Sequence, residues 1–311
     1  MNIYSFLNRI ITFDVWIKLF NRFKKKLLKS LSFTIWKNTF DVVFGNNIIA
    51  YWWRGSDNRN WGDKINPFLV QHLSDKNVVH PDDVINFRFL NVHTCIGSVV
   101  EHLRFEGVHL WGPGIISESS AIKIYPANIH AVRGPLTRQR LLDEGYDCPD
   151  IYGDPALLLP KYYQPKVEKN IELGIVPHYI DKENEEILRL KEEGACIIDV
   201  FSGESEFIDK INRCKRIVSS SLHGLIVADA YGISSKWMKA SDNIFGDEFK
   251  YHDYYESIGI TDEEPLLMRR KISYDDLLES CWKKDLDIDL ERLLIACPYY
   301  DRSNEFSEMK F

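Results

Sequence analysis

The chain has 311 residues, 45% hydrophobic and 27% charged, enough to bury one large core or two ordinary domains, which excludes a disordered chain and a small disulfide scaffold. Its net charge of -7 is unevenly spread: the first 41 residues hold eight Lys/Arg against Asp14 and Asp41, or +6, so the remainder carries the difference, -13. So acidic a body excludes general nucleic-acid binding and leaves the N-terminus or a local pocket for any anionic partner.

Residues 3–37 space Phe6, Ile10, Phe13, Ile17, Phe20, Phe23, Leu27 and Leu31 three or four apart, as one helical stripe does, with Arg9, Lys18, Arg22, Lys25 and Lys29 mostly off it. Such a basic, aromatic helix suits an anionic membrane surface; it equally suits packing on its own domain with a solvated lysine face. No apolar run nears the ~18 residues of a bilayer span and the start lacks signal-peptide layout, so the expectation is a cytoplasmic protein, peripheral at most on the inner membrane face. The six scattered cysteines show no Cys-x-x-Cys spacing and read as free thiols, not metal ligands.

After Gly45-Asn46-Asn47 short apolar runs alternate with helical stretches, the pattern of strand-helix-strand units and a parallel sheet. Strands are expected over 48–53, 88–96, 107–111 and 127–132, with helices over 67–74, opened by Asn66-Pro67, and 134–145. The polar stretch 160–170, with two prolines, is the best linker. Beyond it strands are expected near 172–176, 195–199, 215–219 and 235–238, and helices near 181–193, 204–214, 222–231 and 287–296. The expected organisation is therefore α/β, with a basic helical segment at 1–44 and α/β domains at 45–160 and 161–311. Ligands of such sheets bind beyond the carboxyl ends of the strands, here in a cleft between the halves.

Four stretches at strand ends could carry chemistry. In Asn60-Trp61-Gly62-Asp63 the glycine admits close backbone approach to a ligand and the carboxylate faces the cleft, unless Asp63 merely caps a turn. Val132-Arg133-Gly134-Pro135 ends a strand in an arginine whose planar fork suits a carboxylate or phosphate, unless it pairs with a local acid such as Asp154. Gly153-Asp154-Pro155-Ala156 favours a plain turn. Ser219-Ser220-Ser221-Leu222-His223-Gly224 joins a strand to a helix through three serines, a phosphate cradle at a positive helix end, with room for a ligand beside Gly224; alternatively the serines are N-caps and His223 is structural.

Taken in order, Asn-x-Gly-Asp, Val-Arg-Gly-Pro, Gly-Asp-Pro-Ala, Val-Pro-His-Tyr at 176–179 and Ser-x-x-Leu-His-Gly resemble the polysaccharide pyruvyl transferase family over about residues 50 to 240. The resemblance implies two Rossmann-like domains facing a cleft, as in GT-B glycosyltransferases, and phosphoenolpyruvate as donor. Arg133 and His223 match donor-binding positions, and His178 falls in a family block as a substrate-binding candidate. Many members carry arginine immediately before Leu-His, where this chain has Ser221. The donor needs cations or amides for its anions, an acid for the methylene carbon and a base for the sugar hydroxyl. Arg133, Ser219, Ser220 and Ser221 would hold the anions, His223 would give the proton and Asp63 would act as base, with Asn60 and Gly62 beside the substrate. The acceptor would be a saccharide, lipid-linked or free, in exopolysaccharide or capsule synthesis, and the chemistry calls for no metal or cofactor. A GT-B glycosyltransferase using a nucleotide sugar and a non-catalytic, membrane-docked assembly protein are the alternatives.

Overall fold

A computed structural model describes residues 33–55, 60–85, 90–104, 106–241, 246–268 and 272–301. Strands β1 (Asn47–Tyr51), β2 (Asn77–Val79), β3 (Val92–Thr94), β4 (Glu106–Trp111) and β5 (Tyr125–Ala131) form a parallel sheet in the order β2-β1-β3-β4-β5. Strands β6 (Ile171–Val176), β7 (Cys196–Ile197), β8 (Cys214–Ser219), β9 (Ser234–Lys239) and β10 (Leu266–Leu267) form a second, ordered β10-β9-β8-β6-β7. Counted from its own first strand, each sheet has the same doubly wound order, which reverses between its first and third strands. Crossovers cover both faces of such sheets, so β1 is buried at all five positions and reads as an apolar run rather than an alternation.

Three apolar clusters follow from this layering. One lies on the far side of the first sheet around Ile49, Val92 and Val108, and another behind the second around Leu173, Ile175 and Val218. The largest runs between the sheets, joining Trp61, Leu69 and Trp111 to Phe207, Ile217 and Leu225. Hydrogen bonds stitch the same zone: Trp61 Nε1 donates to the Glu204 carbonyl at 2.9 Å, and Trp111 Nε1 to that of Leu293 at 2.8 Å.

The helix expected over 67–74 runs instead over Trp61–Ser74, so Asn60, not Asn66, is its N-cap, accepting from Gly62 N at 3.1 Å. Pro67 therefore lies inside a helix, where its missing N–H orphans the carbonyl one turn back. The buried Asn66 side chain repairs this by donating to Asp63 O at 3.1 Å and Gly62 O at 3.2 Å, and it also holds Ile96 N and O after β3. An Asn-Pro pair that reads as a helix start is a splice in mid-helix. Strands β2 and β10 and the helices Phe249–Ser257 and Tyr274–Ser280 had no strong periodic signature; the strands have three and two residues.

Of the expected N-terminal amphipathic helix, only Phe33 onward falls in the described part, as the helix Phe33–Val43; residues 1–32 lie outside it. No helix among the described residues is long and apolar enough to cross a membrane.

Candidate functional site

Beyond the carboxyl ends of both sheets lies a cavity of about 410 Å³. Its wall comes from the loops after β1 and β3 (Trp53, Asn60, Asp63, Ser98, His102) and after β6, β7 and β8 (His178, Tyr179, Phe201, Ser221, His223), with Lys250 from Phe249–Ser257. These loops flank the point where each strand order reverses, where diverging crossovers leave a crevice. Five residues singled out in the sequence thus meet in one cavity: Asn60, Asp63, His178, Ser221 and His223.

Gly62 explains how Asp63 and His223 come together. The His223 ring packs on its backbone so closely that an added Cβ would lie 2.0 Å from Nδ1. The backbone approaches a protein side chain here, not the ligand foreseen for Gly62. Next along the helix, the half-buried Asp63 carboxyl has its pKa pushed up to about 7 by removal from water, an effect the His223 charge opposes. On the other side of the ring, His223 Nε2 stands 3.6 Å from Asp154 Oδ2 and, although buried, has no hydrogen-bond partner. Asp154 does cap a turn as expected, accepting from Ala156 N at 2.9 Å, but its second oxygen faces the imidazole. A carboxylate so placed faces one edge of the ring while Gly62 supports its plane.

Arg133 does not line the cavity. Its side chain is 1% exposed and every nitrogen of its fork is engaged: Nε with Asp253 at 2.9 Å, Nη1 with Ser98 Oγ at 2.5 Å and Nη2 with Ile115 O at 2.6 Å. The acid that pairs with it is thus Asp253 and not Asp154, 120 residues away on the helix Phe249–Ser257. Asp253 also accepts from Thr137 N and Oγ1, so the Arg-Gly-Pro turn clamps that helix against the first half. The foreseen donor-holding fork is spent on this clamp.

The serines divide similarly. The Ser219 hydroxyl is fixed to Val176 O and the Ser221 backbone, and that of Ser220 accepts from His178 N at 2.9 Å and donates to Asp181. Only Ser221 reaches the cavity, at the start of the helix Leu222–Ala230, where Gly224 N donates back to Ser221 O at 3.0 Å and the two amides before it have no carbonyl one turn back. Gly224 leaves no room for a ligand, because a Cβ there would meet Ser219 Oγ at 2.4 Å. His178 is held neutral, its pKa pulled down to about 3 by burial and by Lys250, with Nδ1 capping Ile180 N.

Lys250 is the residue the sequence reading missed. It is 8% exposed and lines the cavity, with no carboxylate at ion-pair distance among the described residues. Its position in the first turn of a helix is locally unfavourable for a cation. Burial and the Arg133 charge pull its pKa down to about 8, partly offset by Asp247. A buried ammonium with no carboxylate at ion-pair distance among the described residues is a setting for an anion, and only the Tyr251 ring, 5.3 Å away, faces it as a cation–π partner among them.

Two doubly wound sheets thus bring an acid, an imidazole and an ammonium into one crevice. The sequence profile of the polysaccharide pyruvyl transferase family matches residues 104–235. Uncharacterized protein L143 of Acanthamoeba polyphaga mimivirus is 31% identical over 250 residues, 76% of this chain and 84% of that protein. The succinoglycan biosynthesis protein ExoV of Rhizobium meliloti (strain 1021) is 27% identical over 221 residues, 68% of this chain and 65% of ExoV. The chain belongs to the polysaccharide pyruvyl transferase family and is, at that level, a transferase of polysaccharide biosynthesis.

Proposed function

We propose that this chain moves pyruvate from phosphoenolpyruvate onto two neighbouring hydroxyls of a saccharide, closing a cyclic ketal during exopolysaccharide or capsule assembly. The observation that carries the reading is the buried Lys250, without a carboxylate at ion-pair distance among the described residues, in the same cavity as Asp63 and His223. Lys250, Ser221 and the first turn of Leu222–Ala230 hold the donor's anionic groups. His223, oriented by Asp154, protonates the methylene carbon; Asp63 takes the proton of the attacking hydroxyl. The first oxygen adds to the central carbon, and the second displaces phosphate, which carries off the second hydroxyl's proton, leaving a ketal with a methyl and a carboxylate group. Arg133 acts from behind, fixing the helix that presents Lys250. Two doubly wound sheets sharing one cavity support a GT-B-like pairing of domains, divided in the polar stretch 160–170.

Calorimetric titration with phosphoenolpyruvate, followed by product mass on a saccharide panel, tests this reading. Binding, and a product heavier by one pyruvate less one water, are the expected results. A nucleotide diphosphate sugar bound in place of phosphoenolpyruvate would make the chain a glycosyltransferase, and no small-anion binding would make it an assembly protein.

The same reading sets the enzyme at an anionic membrane, where lipid-linked acceptors lie. The helix Phe33–Val43 exposes Phe33, Trp36 and Phe40, and Phe44 follows, an apolar face open to a membrane surface. The full chain should sediment with anionic vesicles and lose this with added salt, each lysine near the surface contributing about 1 kcal/mol. Equal supernatant recovery of the full chain and a chain lacking residues 1–44 would remove the membrane from the account.

A further inference from the structure

Two aromatic pairs edge the cavity, one from each sheet. Trp53, after β1, lies against the His102 ring at a centroid distance of 4.6 Å and an angle of 34°. Tyr179, after β6, stacks on Phe201 at 5.9 Å and 23°. Trp53 is 44% exposed and Tyr179 46%, although both line the cavity. Large rings left this open forgo burial energy, and their fixed stacking means that a ligand need not order them. A polar frame backs the second pair: the Lys182 ammonium sits 3.9 Å over Phe201 and pairs with Asp199 at 2.6 Å.

We propose that these two pairs are the saccharide subsite, receiving the acceptor across the cavity mouth while its reacting hydroxyls point inward to Asp63. This rests on the pyruvyl-transfer reading for which hydroxyls react, but not for the binding itself. The chemistry that matches an open aromatic ring is the apolar C–H face of a pyranose, and the polar edge of the sugar matches the Lys182–Asp199 pair. The anionic donor, by contrast, has no use for a ring face, whose charge distribution repels anions.

The test uses the intact chain and three probes, the methyl glycosides of glucose, galactose and mannose, observed by saturation-transfer NMR. At least one should receive magnetisation at its ring C–H protons, and Trp53→Ala and Tyr179→Ala should each weaken binding about 3- to 10-fold. Tyr179→Phe should bind as wild type, and the calorimetric affinity for phosphoenolpyruvate should stay unchanged in all three variants, as should their melting temperatures. Absence of transfer from every glycoside, unchanged glycoside affinity in both alanine variants, or parallel loss of donor affinity would overturn the assignment. Glycoside binding that depends on the two rings in a protein that ignores phosphoenolpyruvate would uphold the subsite while the pyruvyl-transfer reading fails.

Discussion

Asp63→Asn should lower turnover by about 100-fold or more while leaving donor affinity nearly unchanged, because the amide keeps the shape of the side chain and cannot accept the hydroxyl proton. The pH profile carries the same information. With a pKa of about 7, wild-type activity should rise as pH increases through neutrality, and that limb should vanish in the variant. Stability should move the other way. The native carboxyl keeps its proton between its ordinary value of 3.8 and about 7, where the unfolded chain has lost it, so wild-type stability declines as pH rises across this window. Asp63→Asn removes that penalty, which after allowance for pocket water is roughly 2 kcal/mol above neutrality. Thermal melts at pH 5 and pH 8 should therefore both show a gain, clearly larger at the higher pH. Near-normal turnover would return Asp63 to a structural role.

The second large effect belongs to Lys250. Lys250→Ala should weaken phosphoenolpyruvate binding about 10- to 100-fold, the range of a lost charge-assisted hydrogen bond in a shielded site. It should not lower the melting temperature, since removal from water costs the ammonium more than the partial offset from Asp247 returns. Wild-type affinity should fall as pH rises past about 8, where the ammonium loses its proton, and the variant should lose this dependence. Arg133→Lys makes the contrast, because disturbing the buried pair with Asp253 should lower melting temperature and donor affinity together. Titrations and melts run side by side separate the two, and an unaltered affinity in Lys250→Ala would sink the anion-site reading.

How far the sequence could be read shows best at particular residues. The cavity is built from strand ends, and a strand end is a local property: the apolar runs before Asn60, His178 and Ser221 marked them as lying on the ligand side of a parallel sheet. The Trp61–Ser74 helix was misplaced because Asn-Pro has a stronger local meaning as a helix start than as a repaired interior. Lys250 left no trace, since one lysine in a helix reads as a solvated residue until its surroundings are known.

By itself the sequence determined the alternation of strands and helices, the two α/β halves and the loops that carry chemical groups, because periodicity, capping and turn preferences act within a few residues. Only the tertiary structure decided which groups face one another. It gave Arg133 to Asp253 and left Asp154 facing His223, spent two of three serines on internal hydrogen bonds, and brought Lys250 into the cavity. The reason is physical: a buried charge takes its partner from whatever the packing of two sheets brings within a few ångströms, and no local pattern records that choice.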